Sequence, residues 1–202
     1  MSLDVLLSLL IFIAVGSVTP GPNNIMLLAS GMNYGVLRTV PHLFGIWVGF
    51  PLMILLVGLG LAKLFDIYPA SLLVLKIIST FYLLYLAWKI ATAAPPKLNS
   101  SEIENQSKPL TFLKAAVFQW VNPKGWTMAL TAISLYTPPD HPVSSIFLVT
   151  FIFFCVSIPS AGIWVILGHK LRSLIADEKK IRLFNLICAG LLVASLYPIV
   201  FS

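Results

Sequence analysis

A chain of 202 residues, 58% hydrophobic, 10% charged and with a mean hydropathy of +0.95, carries more apolar surface than a water-soluble core of its size can bury. It reads as an all-α polytopic membrane protein, because its apolar stretches have helical length and lack the alternation of a β-barrel. The net charge of +6 is divided among separate short loops, which excludes a nucleic-acid surface and leaves charge as a signal of topology.

Six stretches reach or approach the ~20 residues that span a bilayer: 3–32, 40–62, 71–91, 110–136, 143–167 and 183–201. The first is interrupted by Val18-Thr19-Pro20-Gly21-Pro22-Asn23-Asn24. Neither proline has an N–H, so a helix continued through them would leave the carbonyls of Gly16 and Val18 without donors. A broken helix is expected here, restarting at Asn23 with asparagine as its cap. In a bilayer such a break persists where protein or a water-filled cavity surrounds it, and such cavities hold solutes near the membrane middle. The competing reading is a proline kink that serves packing alone. Asp4 stands where a cleavable signal would be basic, so the first stretch is expected to remain as a span.

In the second stretch Gly45 and Gly49 lie four residues apart, a spacing that admits a neighbouring helix closely, and Pro51 follows. The third ends in Tyr82, Tyr85, Trp88 and Lys89, an interfacial belt with a basic anchor. Residues 95–109 form a polar linker between two units, 1–94 and 110–202, each expected to carry three spans. The second unit opens as the first does, with an apolar run meeting Gln119-Trp120-Val121-Asn122-Pro123-Lys124. Pro20 corresponds to Pro123 and Pro51 to Pro159. Three spans per unit is an odd number, so the units should lie in opposite orientations, as inverted repeats. With the N-terminus outside, ten of the 13 lysines and arginines fall on the cytoplasmic side and only Lys63 outside, which places both termini outside.

The breaks offer complementary chemistry. Carbonyls freed at the end of a half-helix attract cations, while the N–H groups opening the next half attract anions. Gly16 and Val18 supply carbonyls in the first break, and Asn23 and Asn24 supply amides. In the second, Pro123 frees the carbonyl of Gln119, and Lys124 sets a positive charge near the membrane middle, where water, a partner or a ligand must compensate it. A carboxylate is the natural complement. Snorkelling, or bonding to carbonyls of its own broken helix, is the structural alternative for Lys124, and snorkelling is expected of Lys76.

All seven acidic residues fall in loops or at the extreme end of a span, so neither a carboxylate proton relay nor a metal-ion pathway is expected. His42, His141 and His169 lack ligand spacing and read as surface or belt residues, and Cys155 and Cys188 as small apolar packers. No nucleophile and base come together, and no phosphate loop is present, so neither an enzyme nor a cofactor is expected.

These motifs are also where a resemblance appears. Through Thr19-Pro20-Gly21-Pro22-Asn23, Asn122-Pro123-Lys124 and six spans in about 200 residues, the chain resembles the lysine exporter (LysE/RhtB) superfamily of bacterial amino-acid efflux proteins over essentially its whole length. Leu86-Ala87-Trp88-Lys89-Ile90-Ala91-Thr92 looks most like its cysteine and O-acetylserine exporter branch, with the homoserine and threonine exporters next. The resemblance implies export of a small neutral amino acid across the bacterial inner membrane, driven by the proton motive force. The expectation is thus a secondary transporter whose partners are a small amino acid, protons and the lipid bilayer, with self-association left open. Thr19, Gly21, Asn23 and Asn24 would form one wall of its site, and Asn122 and Lys124 the other. A gated pore formed by an oligomer is the alternative.

Overall fold

The computed structural model describes residues 2–93, 108–138, 142–175 and 177–197, and these contain helices and connections but no strand. Helix α1 (Leu3–Val18) stops at the first proline pair, and α2 (Pro22–Tyr34) starts within it at a bend of 49°. The cause is local. A residue preceding proline is driven out of the helical region, and Thr19 (ψ 143°) and Gly21 (φ −168°, ψ 175°) are both extended. The cap of α2 is therefore Gly21 and not Asn23, with Pro22 in the first helical position, where its missing N–H costs nothing. Asn122 (φ −90°, ψ 105°) behaves in the same way before Pro123. It separates α6 (Phe112–Phe118), with its 3₁₀ turn Gln119–Val121, from α7 (Pro123–Tyr136).

Between these broken pairs run α3 (Val36–Leu56), which continues through a π-helical segment Val57–Leu61, the short α4 (Lys63–Ile67) and α5 (Ala70–Ala91). After α7 come α8 (Pro142–Leu174) and α9 (Glu178–Ala194). Among the described residues three helices are long and apolar enough to cross a membrane, and α1 with α2 makes a fourth if the bent pair is one span. Two stretches differ from the sequence reading. α8 runs past residue 167, and α9 begins at Glu178, capped by Asp177, whose Oδ1 accepts from the Lys179 amide at 2.8 Å. Most of the linker 95–109 lies outside the described residues.

Small residues set the helix spacing. A Cβ added to Gly45 would lie 2.3 Å from the Phe112 carbonyl oxygen, and one on Gly49 would lie 2.7 Å from the Ala116 Cα, so α3 and α6 touch backbone to backbone. Gly31 and Gly168 do the same for α2 and α8, at 2.3 Å from the Val165 oxygen and 2.1 Å from the Leu28 oxygen. The Trp47 indole donates to the Phe154 carbonyl at 2.7 Å and ties α3 to α8.

The buried side chains gather around the breaks. One cluster draws Leu9 and Ile13 from α1, Met53 and Ile54 from α3, Ala129 from α7 and Phe153 from α8. Another joins Ile25 and Met26 of α2 to Leu83 of α5, Phe118 of α6 and Leu192 of α9. The halves of each broken pair thus serve different clusters, and the breaks lie between them. Along α5 only Ser79, Leu83, Leu86 and Ala87 are buried, leaving Leu73, Val74, Ile77, Ile78 and Phe81 as a continuous apolar exterior of the kind lipid covers. Cys188 packs inside, but Cys155 lies one turn from the exposed Phe151 on the outer face of α8, so it is not a core residue. His42 is a larger correction. It is 1% exposed inside α3, neither a surface nor a belt residue.

Candidate functional site

The two breaks meet. Asn23 Nδ2 donates to Gln119 Oε1 at 2.8 Å and Gln119 Nε2 returns a bond to Asn23 Oδ1 at 3.2 Å, while the same Nε2 reaches the Ala115 carbonyl at 2.8 Å. Gln119 is fully buried, so this reciprocal amide pair is worth more than a surface contact and fixes one break against the other. Across the gap Lys124 Nζ donates to the Thr19 carbonyl and to Thr19 Oγ1, both at 2.8 Å, and reaches the Pro20 carbonyl at 3.5 Å. The lysine therefore bonds the opposite break and not, as the alternative reading had it, carbonyls of its own broken helix.

The freed carbonyls of α1 are largely satisfied from within. Thr19 Oγ1 donates to the Gly16 carbonyl at 3.1 Å, and Asn24 Nδ2 donates to the carbonyls of Ser17 and Thr19 at 2.8 Å each. The donor ends are not. Backbone bonding in α2 begins with the Ile25 amide on the Gly21 carbonyl (2.9 Å) and in α7 with the Trp126 amide on the Asn122 carbonyl (3.1 Å), so the preceding N–H groups have no partner inside their helices.

Both helix N-termini open on one cavity of about 50 Å³, lined by Gly16, Ser17, Gly21, Pro22, Asn23, Asn24, Ile46, Phe50, Asn122, Lys124, Gly125, Met128, Ser157, Ser160 and Ala161. That volume holds roughly three or four waters. Asn122 is 3% exposed, and its Oδ1 has no hydrogen-bond partner. The cavity thus offers two helix N-termini and a lysine to an anion, and Asn122, whose side-chain oxygen is buried and unpartnered, stands in its wall. Glycines make the room. A Cβ on Gly16 would lie 2.4 Å from Met128 Cε, and one on Gly21 would lie 2.6 Å from Lys124 Cδ.

Among the residues singled out in sequence, Gly16, Gly21, Pro22, Asn23, Asn24, Asn122 and Lys124 line this cavity. Thr19 and Gln119 stand behind it as partners of Lys124 and Asn23. Pro20 and Pro123 line a larger groove of about 540 Å³ on the other side of the breaks, which Lys124 also borders, together with Leu72, Leu75 and Trp126. Val18 is 45% exposed and lines neither. The sequence reading missed the third wall, Ser157 and Ser160 of α8. Two serines flanking Pro159 in an apolar run were the available signal.

A family model described as LysE type translocator matches residues 14–195, which include both breaks and every wall of the cavity. The chain belongs to this family. Its curated relatives include the cysteine/O-acetylserine efflux proteins of Escherichia coli (strain K12), Shigella sonnei and Shigella flexneri. Each is 32% identical over 181 residues, covering 89% of both chains. No solved structure matches. As a LysE family member the protein is a multi-pass membrane transporter and not an enzyme.

Proposed function

We propose that this LysE family member is a secondary transporter that exports a small neutral amino acid or derivative, of the cysteine and O-acetylserine type named for its relatives, across the bacterial inner membrane. The observation that carries the reading is the cavity between the broken helices. A zwitterion would set its carboxylate against the amide ends of α2 and α7 and Lys124, and its ammonium against Asn122 Oδ1. To take the carboxylate, Lys124 exchanges its bonds to Thr19 for bonds to substrate, so binding releases one of the two ties between the breaks and leaves the Asn23–Gln119 pair.

The architecture is an inverted pair of three-span units, 1–94 and 110–202, joined by a cytoplasmic linker with both termini periplasmic. Supporting it, α1 and α7 feed one core cluster while α2 and α6 feed the other. The third spans, α5 and α9, also pack on each other. In such a frame substrate crosses by rocking of one unit against the other. Export draws on the proton motive force, with Lys124 as the candidate that alternately holds substrate and yields its proton.

Counterflow in proteoliposomes tests the reading. Vesicles preloaded with unlabelled O-acetylserine should transiently accumulate labelled O-acetylserine; a pore gives equilibration without overshoot, and that outcome would remove the carrier.

A further inference from the structure

We propose a second binding site for the substrate's carboxylate, an entry site at the far end of α2; it rests on the transport reading above. A separate cavity of about 50 Å³ lies there, lined by Ser30, Asn33 and Tyr34 of α2, His42 of α3, Lys89 of α5 and Lys108, among others. Asn24 and Asn33, nine residues apart on α2, place the two cavities roughly 13 Å apart along the helix axis.

The polar wall of this cavity is almost fully satisfied. Ser30 and Thr39 share a hydrogen bond of 2.9 Å, and Thr39 Oγ1 donates to the Gly35 carbonyl at 2.8 Å. Asn33 and Asn185 exchange bonds of 2.7 and 3.0 Å, and Asn33 also donates to the Ala29 carbonyl at 2.8 Å. His42 is the exception. It is 1% exposed, yet neither ring nitrogen has a partner. A buried imidazole without a bond is costly, and both His42 nitrogens are closed off from the cavity that the residue lines, so the ring gains a partner only by turning toward an occupant.

The charges around it say what that occupant is. Lys89 and Lys108 line the cavity and, among the described residues, no acidic one does, so the described wall sets two basic side chains beside an imidazole. The volume suits a carboxylate with its α-carbon better than a large headgroup. On the proposed topology this is the cytoplasmic end, where an exporter first meets its substrate, and α2 connects the two sites directly.

Full-length protein in detergent, titrated with O-acetyl-L-serine, should bind two molecules per chain. Lys124→Met should keep the entry site alone, and Lys89→Gln should keep the central site alone. In inside-out vesicles Lys89→Gln and His42→Gln should raise the KM for cytoplasmic substrate about tenfold or more, with kcat and the periplasmic-side exchange KM unchanged. Thermal unfolding of the variants identifies any that fail to fold; Lys89→Gln, at the half-buried edge, is the variant expected to fold as the parent does. One molecule per chain in the parent, lost with Lys124→Met, would overturn the entry site and leave the transport reading intact. A parent that binds none would overturn both.

Discussion

Lys124 illustrates how one side chain is decided by its surroundings. In sequence it is a charge within a span. In the fold it is the clasp between two broken helices, held by the carbonyl and hydroxyl of Thr19, and it borders the cavities on both sides of the breaks. Lys124→Met should abolish substrate binding in the cavity between the breaks, and with it transport, in a protein that still inserts. Lys124→Arg should bind and exchange substrate yet fail to concentrate it, because arginine keeps the charge but does not release its proton. Uphill export by the arginine variant equal to that of the parent would exclude Lys124 as proton carrier. Gly21→Ala offers a gentler probe. Its backbone is extended and tolerates any residue, so the new methyl acts only on the lysine stem, which must leave its seat on Thr19. Affinity should change, with thermal stability within about 1 kcal/mol of the parent.

Among the helices, proline position matters less than proline context. Pro20 lies in the first break and Pro22 and Pro123 open α2 and α7, whereas Pro41, Pro51 and Pro159 sit inside α3 and α8, which continue past them. The breaks survive because side chains replace the lost backbone donors: Thr19 serves Gly16, and Asn24 serves Ser17 and Thr19. Pro20→Ala with Pro22→Ala restores donors to a continuous helix and should stabilise it by several kcal/mol. It would also straighten the 49° bend, and transport should be lost in a folded protein; full transport would show that the break is packing only. The α2–α8 contact behaves differently. Gly168→Ala drives a methyl into the Leu28 carbonyl, which is backbone and cannot swing aside, so unfolding in detergent should show a loss of about 1–3 kcal/mol. Retention of parental stability would mean that the helices can part without cost.

At the scale of the whole molecule the ten-to-one asymmetry of basic residues predicts that the linker is cytoplasmic. With Cys155 and Cys188 replaced by serine, Ser101→Cys should resist an impermeant thiol reagent in spheroplasts and react after permeabilisation. Labelling of intact spheroplasts would reverse the orientation of both units. Membrane class, the two breaks and much of the site were legible in sequence, because hydropathy and the proline rule are local: a bilayer demands apolar runs, and a proline acts on the residues beside it. Long-range partners were not legible. Nothing along the chain pairs Asn23 with Gln119 or Lys124 with Thr19, places Ser157 and Ser160 in the third wall, or buries His42 without a partner, since each depends on which helices pack together. The sequence by itself determined that the helices break beside these prolines, though the restart at Pro22 under a Gly21 cap came from the structure. Only the tertiary structure decided that the breaks face each other across one cavity, because that rests on glycine contacts and amide pairs between residues about a hundred positions apart.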